Sequence, residues 1–307
     1  MDIFLQQIVN GLVQGSIYAL VALGYTMVYG IMGLINFAHG EVVMIGTLVT
    51  ITVAGSLIKA GMPVSLAALA GLSVSLLLCM ALGWGLERIA YRPLRNAPRL
   101  TPLITAIGMS IVLQNLAMMI WGRNYLTFPA LLPKVNFELA GAHFTFIQVV
   151  IVLLSGATMA GLLGLIYRTK LGMAMRATAQ NPAVASLMGV NINRVIAAAF
   201  VIGSALGALA GVMVGTYYEI AHYQMGFMLG LKAFTAAVLG GIGNLAGAML
   251  GGVLLGIIEA LGAGYIGDLT GGFLGSHYQD IFAFIVLIVV LMFKPSGLFG
   301  EKTGDRA

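Results

Sequence analysis

Long runs of apolar residues dominate the chain, and polar residues gather in the short stretches between them. About 20 consecutive apolar residues cross the hydrocarbon core of a bilayer as an α-helix. On that basis the pattern predicts spanning helices at roughly 8–30, 41–59, 64–86, 103–121, 146–167, 195–218, 245–264 and 279–293. A shorter run at 227–242 either spans or re-enters. We therefore predict an all-α, polytopic membrane protein with eight or nine crossings, some of them broken or re-entrant.

Composition agrees with this class and excludes a water-soluble one. Of the 307 residues, 60% are hydrophobic and 8% are charged, with a mean hydropathy of +1.02, whereas soluble domains carry about a quarter charged residues. A transmembrane β-barrel would instead show short alternating segments. The start, MDIFLQQIVNGL, lacks the basic region of a cleaved signal peptide. Residues 1–307 are predicted to form one transmembrane domain.

The distribution of charge predicts how the chain is oriented. Lys and Arg concentrate at 87–102, at 167–194 and in the tail 294–307, whereas 265–280 has none. Because positive loops mark the cytoplasmic side, these three stretches are predicted to be cytoplasmic. The net charge of +5 is explained by these loops and does not indicate a nucleic-acid partner. An even number of crossings between the second loop and the tail requires that 227–242 cross or that another segment be broken.

Three polar side chains interrupt the apolar pattern in INFAHGEVVMIG (35–46), namely Asn36, His39 and Glu41. If this stretch lies at the membrane surface, Asn36 is an N-cap and Glu41 faces the positive end of a helix dipole. If it lies within the bilayer, it is a helix break of the kind that transporters use to build a pathway. Asn244, in LGGIGNLAGAMLGG (239–252), marks a second candidate break. These four residues are candidates for a translocation pathway.

Lys232 is a single cation within the apolar segment GFMLGLKAFTAAVLGGIG. Because a charge in hydrocarbon costs several kcal/mol, it should find a partner or water. Glu219 and Glu259 are the candidate partners. Lys232 is interpreted as a structural ion pair or a snorkelling lysine, or as a further residue of the translocation pathway.

Glycines recur every four residues at Gly203, Gly207, Gly211 and Gly215, which places them on one face of one helix. Small residues at this spacing let membrane helices approach closely. Two interpretations remain open, tight helix packing and a groove that lines a pore.

A short helix is predicted within the second basic loop, in QNPAVASLMGVN. Asn181 is the expected N-cap, Pro182 the first helical position and Gly189 the stop. Its apolar face either docks in a groove of another protein or lies on the membrane domain itself. The candidate residues for docking are Arg176, Asn181, Pro182, Val184, Leu187, Met188 and Gly189.

Four stretches together resemble the permease subunits of branched-chain amino acid ABC importers, and the resemblance runs from about residue 8 to 300. They are YTMVYGIMGLINFAHGEVVMIG, GMSIVLQN, GMAMRATAQNPAVASLMGVN and GFMLGLKAFTAAVLGGIGNLAGAMLGG. The resemblance implies a non-catalytic subunit of the bacterial inner membrane that moves leucine, isoleucine or valine from periplasm to cytoplasm. It also implies a second homologous permease, two cytoplasmic ATPase subunits that use ATP, a periplasmic binding protein and surrounding lipid. No cofactor or metal is expected on this chain.

The same resemblance implies that the short helix is the coupling helix on an ATPase. Many importers carry a Glu-Ala-Ala…Gly signature there, whereas this chain has Ala183, Val184 and Ala185 before Gly189. The alternative function is an ion-coupled secondary transporter of small apolar solutes, with Glu41, Lys232 and Glu259 as coupling charges. No Walker A pattern occurs, so the chain is not a P-loop ATPase.

Overall fold

The structure is a computed structural model that describes residues 2–95, 97–98, 100–133, 135–139, 141–270 and 279–300. Its helices confirm the predicted all-α class. In chain order they are α1 (Asp2–Met32), α2 (His39–Lys59), α3 (Val64–Leu86), α4 (Leu100–Trp121), α5 (Phe146–Arg168), α6 (Lys170–Gln180), α7 (Pro182–Leu187), α8 (Ile192–Tyr218), α9 (Met225–Gly240), α10 (Leu245–Leu269) and α11 (Gln279–Phe293).

Helices α1, α2, α3, α4, α5, α8 and α10 are long and apolar enough to cross a membrane, while α9 and α11 are apolar but shorter. Every predicted apolar run is therefore a helix, and 227–242 corresponds to α9. The first basic stretch is more helical than expected. A π-helical turn, Glu87–Tyr91, and a 3-10 turn, Arg92–Leu94, extend α3 into it.

Helix α1 lies at the centre of the bundle. Of the residues in the most apolar 18-residue stretch of each helix, 78% are buried in α1, against 22% in α3 and in α4. The outer helices α3, α4 and α5 thus have wide exposed apolar faces. Glycine lets α1 approach the neighbouring α10 closely, since a Cβ on Gly15 would lie 2.7 Å from the Val253 Cα atom. In the same way Gly211 of α8 lies against the Val43 carbonyl of α2, so the glycine repeat serves helix packing.

The basic stretches meet at one end of the bundle, which we call the basic end. The Arg95 guanidinium donates a 2.5 Å hydrogen bond to Asn193 Oδ1, which joins the two basic loops. A cavity bounded by both Arg176 and Ser296 places the start of the tail there as well. This grouping agrees with the topology predicted from charge. Residues 301–307 of the tail lie outside the described residues.

Short strands close the opposite end. Strands β2 (Asn136–Leu139) and β3 (Ala142–Thr145) form an antiparallel hairpin. Strand β1 (Leu126–Thr127) pairs antiparallel with β4 (Ile220–Ala221), so the segment after α4 holds the segment after α8. The apolar pattern did not predict these strands because each has at most four residues.

Candidate functional site

The second half of the connection between α1 and α2 lies inside the bundle, whereas Gly33, at the start of the connection 33–38, is exposed. Asn36, Ala38 and His39 are at most 3% exposed. The His39 ring packs against Gly24, well within α1, where an added Cβ would lie 2.1 Å from His39 Nε2. It also lies close to Gly207, near the middle of α8. Helix α2 therefore begins in the interior, alongside the middle of its neighbours.

Asn36 does not cap α2, so that prediction is wrong. The N-cap position belongs to Ala38, which has no side chain to cap with. The Asn36 Oδ1 atom instead accepts hydrogen bonds from the Ala38 backbone N–H (3.1 Å) and the Tyr91 hydroxyl (2.7 Å). The Asn36 side chain therefore stabilises the turn that precedes α2. Its hydrogen bond with Tyr91 also links this turn to the helical extension of α3.

A second helix begins at the same place. The first turn of α9 packs on the first turn of α2, and Gly40 meets Gly226 so closely that a Cβ on Gly40 would lie 2.3 Å from the Gly226 carbonyl oxygen. The connection 219–224 must therefore turn back into the bundle after α8 ends. It does so through Glu219, which has a left-handed φ of 58°, and β4. Two helix N-termini thus meet in the interior, and the sequence did not predict this second break.

Glu41 lies between these two N-termini. It is 1% exposed, and its Oε1 atom accepts a 3.0 Å hydrogen bond from the Ser110 hydroxyl of α4. Within the described residues, Oε2 has no hydrogen-bond partner, and it faces Gly226 in the first turn of α9. Free N–H groups and the helix dipole make such a position favourable for a negative charge. No group of three metal-ligating side chains occurs among the described residues.

Lys232 forms a second polar centre, which joins four helices. Its Nζ atom lies 3.1 Å from Glu259 Oε2 on α10 and 2.6 Å from Asp280 Oδ1 on α11. The Tyr18 hydroxyl of α1 donates a 2.7 Å hydrogen bond to the same Glu259 oxygen. The predicted ion pair with Glu259 is confirmed. Asp280 was not predicted as a partner, because the acidic stretch 265–280 was used only to orient the chain.

Asn244 lies apart from Asn36, His39 and Glu41, at the basic end. It caps α10, since its Oδ1 accepts the Gly247 N–H (3.0 Å), while its Nδ2 donates to the Phe299 carbonyl (2.9 Å). It borders a cavity of about 830 Å³ that opens at this end. The predicted break at 239–252 is thus a turn between α9 and α10, and the break of the second half is 219–224, which leads from the end of α8 to the first turn of α9.

The short helix in the second basic loop is present as α7. Asn181 Oδ1 accepts the Val184 N–H at 3.1 Å, and Gly189 ends the turn with a φ of +84°. Leu187 and Met188 are 85% and 80% exposed. The predicted caps and the apolar face are confirmed as structure.

Arg176 is not part of that helix. It lies on α6, which the sequence did not predict, and its guanidinium stacks over the Tyr167 ring at 5.2 Å. Thr169 caps α6 by accepting the Gly172 N–H. Arg176 therefore faces the large basic-end cavity, together with Tyr167.

The family model described as "Branched-chain amino acid transport system / permease component" matches residues 7–291. The chain belongs to this family. The permease is 48% identical to BraD, a high-affinity branched-chain amino acid transport system permease protein of Pseudomonas aeruginosa, over 99% of this chain and 98% of the relative. It is 46% identical to LivH of Escherichia coli (strain K12), over 99% and 97%. It is 27% identical to a probable LivH of Methanocaldococcus jannaschii, over 95% and 91%.

The resemblance read from the sequence motifs is confirmed by these matches. The permease is a multi-pass protein of the bacterial membrane, and its relatives are permease subunits with a non-catalytic role.

Sequence reasoning missed four side chains that complete the polar centres of the permease, namely Tyr18, Tyr91, Ser110 and Asp280. Each lies far along the chain from the group that it contacts. The sequence signal that could have found them is a hydroxyl or carboxylate group within or beside an apolar run, because buried polar groups need partners.

Proposed function

We propose that the permease moves leucine, isoleucine and valine from periplasm to cytoplasm as one subunit of an ATP-driven importer. Relatives that are 46–48% identical over nearly the whole chain are named for branched-chain amino acid transport, which supports this substrate class. The basic end is the cytoplasmic face, because Lys and Arg accumulate in cytoplasmic loops.

The proposed importer contains a second homologous permease, two cytoplasmic ATPase subunits and a periplasmic binding protein. ATP is used by the ATPase subunits, and this chain carries no cofactor. Lipid covers the exposed apolar faces of α3 and α4, in which Leu77 and Ile104 are 68% and 67% exposed.

The observation that carries the proposal is the uncovered apolar face of α7. This helix has six residues, too few to be stable alone, yet caps at both ends hold it. Ala185 is buried against the permease, while Leu187 and Met188 point away from it. A groove in an ATPase subunit would remove that apolar surface from water. Because the signature glutamate is absent here, the contact is apolar and not ionic.

The proposed pathway passes the place where α2 and α9 begin. Asn36, His39 and Glu41 lie in the middle of this pathway, which is closed. Protein shields these polar groups and the N-termini of α2 and α9 from lipid. Lys232 flanks this middle on the side of the β strands, and Asn244 flanks it at the basic end. Paired half-helices of this kind are how many transporters build their central path.

The test replaces both exposed residues of α7, in the variant Leu187→Asp/Met188→Asp. A carboxylate in a dry groove costs several kcal/mol, so ATPase co-purification and uptake should both be lost while membrane levels stay normal. Val135→Asp, an exposed change at the opposite end, is the control and should keep both. Retention of ATPase binding and uptake by the double variant would show that α7 is not the dock.

Two further measurements separate this proposal from ion-coupled transport and from the reverse orientation. Uptake by the purified complex in vesicles should require ATP inside and persist when ion gradients are collapsed. A cysteine in place of Asn181 should react only from the cytoplasmic side, and one in place of Thr270 only from outside. Uptake that follows an ion gradient without ATP, or labelling of both positions from one side, would contradict the proposal.

A further inference from the structure

A cavity of about 250 Å³ lies at the end of the bundle opposite the basic end. One wall is a single face of α9, with Met225, Met228 and Lys232 one helical turn apart or less. The facing wall comes from the last turns of α8, including Val214 and Tyr218. The connection 219–224 forms its rim, with Ile220, Ala221 and His222 in the lining, so the cavity is a direct product of the second helix break.

Most of the cavity is lined by apolar groups. Its polar lining residues are His222, Lys232 and the three tyrosines Tyr18, Tyr125 and Tyr218. The Lys232 Nζ atom donates to the Tyr18 hydroxyl at 3.3 Å, and Tyr18 lines the same cavity. Behind them stand the carboxylates of Glu259 and Asp280, each in contact with Nζ. An apolar space thus ends at a cluster that holds one ammonium and two carboxylates.

We propose that this cavity binds an α-amino acid with an apolar side chain as it enters the permease. The carboxylate of the ligand meets Lys232 and Tyr18, which both line the cavity. The side chain lies between Val214 and Met228. Small-ligand sites have this character, mostly apolar walls with a few convergent polar groups. The inference rests on the proposed function and adds to it the place where the substrate is held.

A second cavity of the same volume provides a contrast within the molecule. It lies between α1 and α5, is lined by Leu12, Val13, Phe144 and Val152 among others, and has Gln148 as its polar side chain. None of the described residues that line it is charged, so none would pair with the carboxylate of an amino acid. It fits a hydrocarbon chain and serves as the control site.

The experiment uses the complete importer in membrane vesicles and exploits the single cysteine, Cys79, which is buried. In a Cys79→Ser background, Met228→Cys places a thiol in the proposed site, and Leu12→Cys places one in the control cavity. The rate of maleimide labelling is measured with leucine, with valine, and with leucinol, which keeps the apolar side chain and the amine but lacks the carboxylate.

At ten times the half-protecting concentration, leucine and valine should slow labelling of the Met228→Cys thiol about tenfold. Leucinol should leave it unchanged, and no ligand should slow labelling of the Leu12→Cys thiol. If the Cys79→Ser importer takes up leucine and leucine does not protect the Met228→Cys thiol, the site is wrong. Equal protection by leucinol would overturn the role of Lys232. A background importer that takes up no branched-chain amino acid would contradict the proposed function itself.

Discussion

Glu41 and Glu259 are both almost fully buried in this permease, and their charges are balanced in different ways. Glu259 contacts the Lys232 ammonium and the Tyr18 hydroxyl, so an ion pair and a hydrogen bond offset its burial. Among the described residues, no cation pairs with Glu41. It accepts one hydrogen bond from Ser110 and faces the first turns of two helices.

The two centres therefore contribute differently to the fold. An ion pair between separate helices is costly to break, because each buried charge then stands alone. A helix dipole is weaker and falls off within the first turn. The Lys232 centre therefore fixes α1, α9, α10 and α11 together, whereas the Glu41 centre holds α2 and α9 by a contact that a small displacement releases. The first is suited to holding the fold and the second to opening and closing.

The largest effect should come from Lys232→Met, which leaves Glu259 and Asp280 uncompensated. We expect a loss of about 3–5 kcal/mol of stability, measured as folded protein in membranes and as thermal unfolding in detergent. Glu259→Gln should cost less, because Lys232 keeps Asp280. Adding Glu259→Gln to Lys232→Met should recover part of the loss. If the double variant is no more stable than Lys232→Met, Lys232 and Glu259 do not stabilise the fold as a pair.

The next largest effect should come from weakening the contact between the first turns of α2 and α9. Gly40→Ala would bring a Cβ to 2.3 Å from the Gly226 carbonyl oxygen, so α2 and α9 must separate. We expect a cost of about 1–3 kcal/mol and a larger fall in uptake than in membrane level. Gly108→Ala on α4, where an added Cβ meets nothing within 4 Å, is the matched control and should be neutral or slightly stabilising. Equal effects at both glycines would mean that the contact does not matter.

A smaller effect is expected from Tyr91→Phe, which removes the hydroxyl that donates to Asn36 Oδ1. The Ala38 N–H remains bonded to the same oxygen, so the cost should be about 1 kcal/mol. Thermal unfolding measures it. Combined with Asn36→Ala, the two changes should be less than additive, since they share one hydrogen bond. Full additivity would show that the hydroxyl acts elsewhere.

Glu41→Gln should change stability least, by less than about 1 kcal/mol, because the lost dipole attraction is offset by the lost cost of burying a charge. The amide keeps an oxygen that accepts from Ser110. The effect should appear in uptake rate, not in unfolding temperature. A loss of stability as large as that of Lys232→Met would erase the distinction between the two carboxylates.

Much of this architecture follows from the apolar pattern, and the exceptions have physical causes. The break at 33–38 was visible because Asn36, His39 and Glu41 interrupt an apolar run with side chains that lipid rejects. The break at 219–224 was missed although Glu219, His222 and Gln224 interrupt the apolar pattern there as well. Its return into the bundle depends on pairing with β1, which is distant in sequence. Asp280 was misjudged for the same reason, because tertiary contact alone reveals its partner.

Helix α9 has 16 residues and is thus about 24 Å long. One end is seated against Gly40 in the interior, and at the other end the Leu239 and Gly240 carbonyls accept the N–H groups of Leu298 and Phe299. A helix of this length is stiff along its axis, and both of its ends contact other parts of the permease. An axial displacement of α9 would therefore move both the wall that carries Met228 and Lys232 and the backbone of Leu298 and Phe299 at the far end.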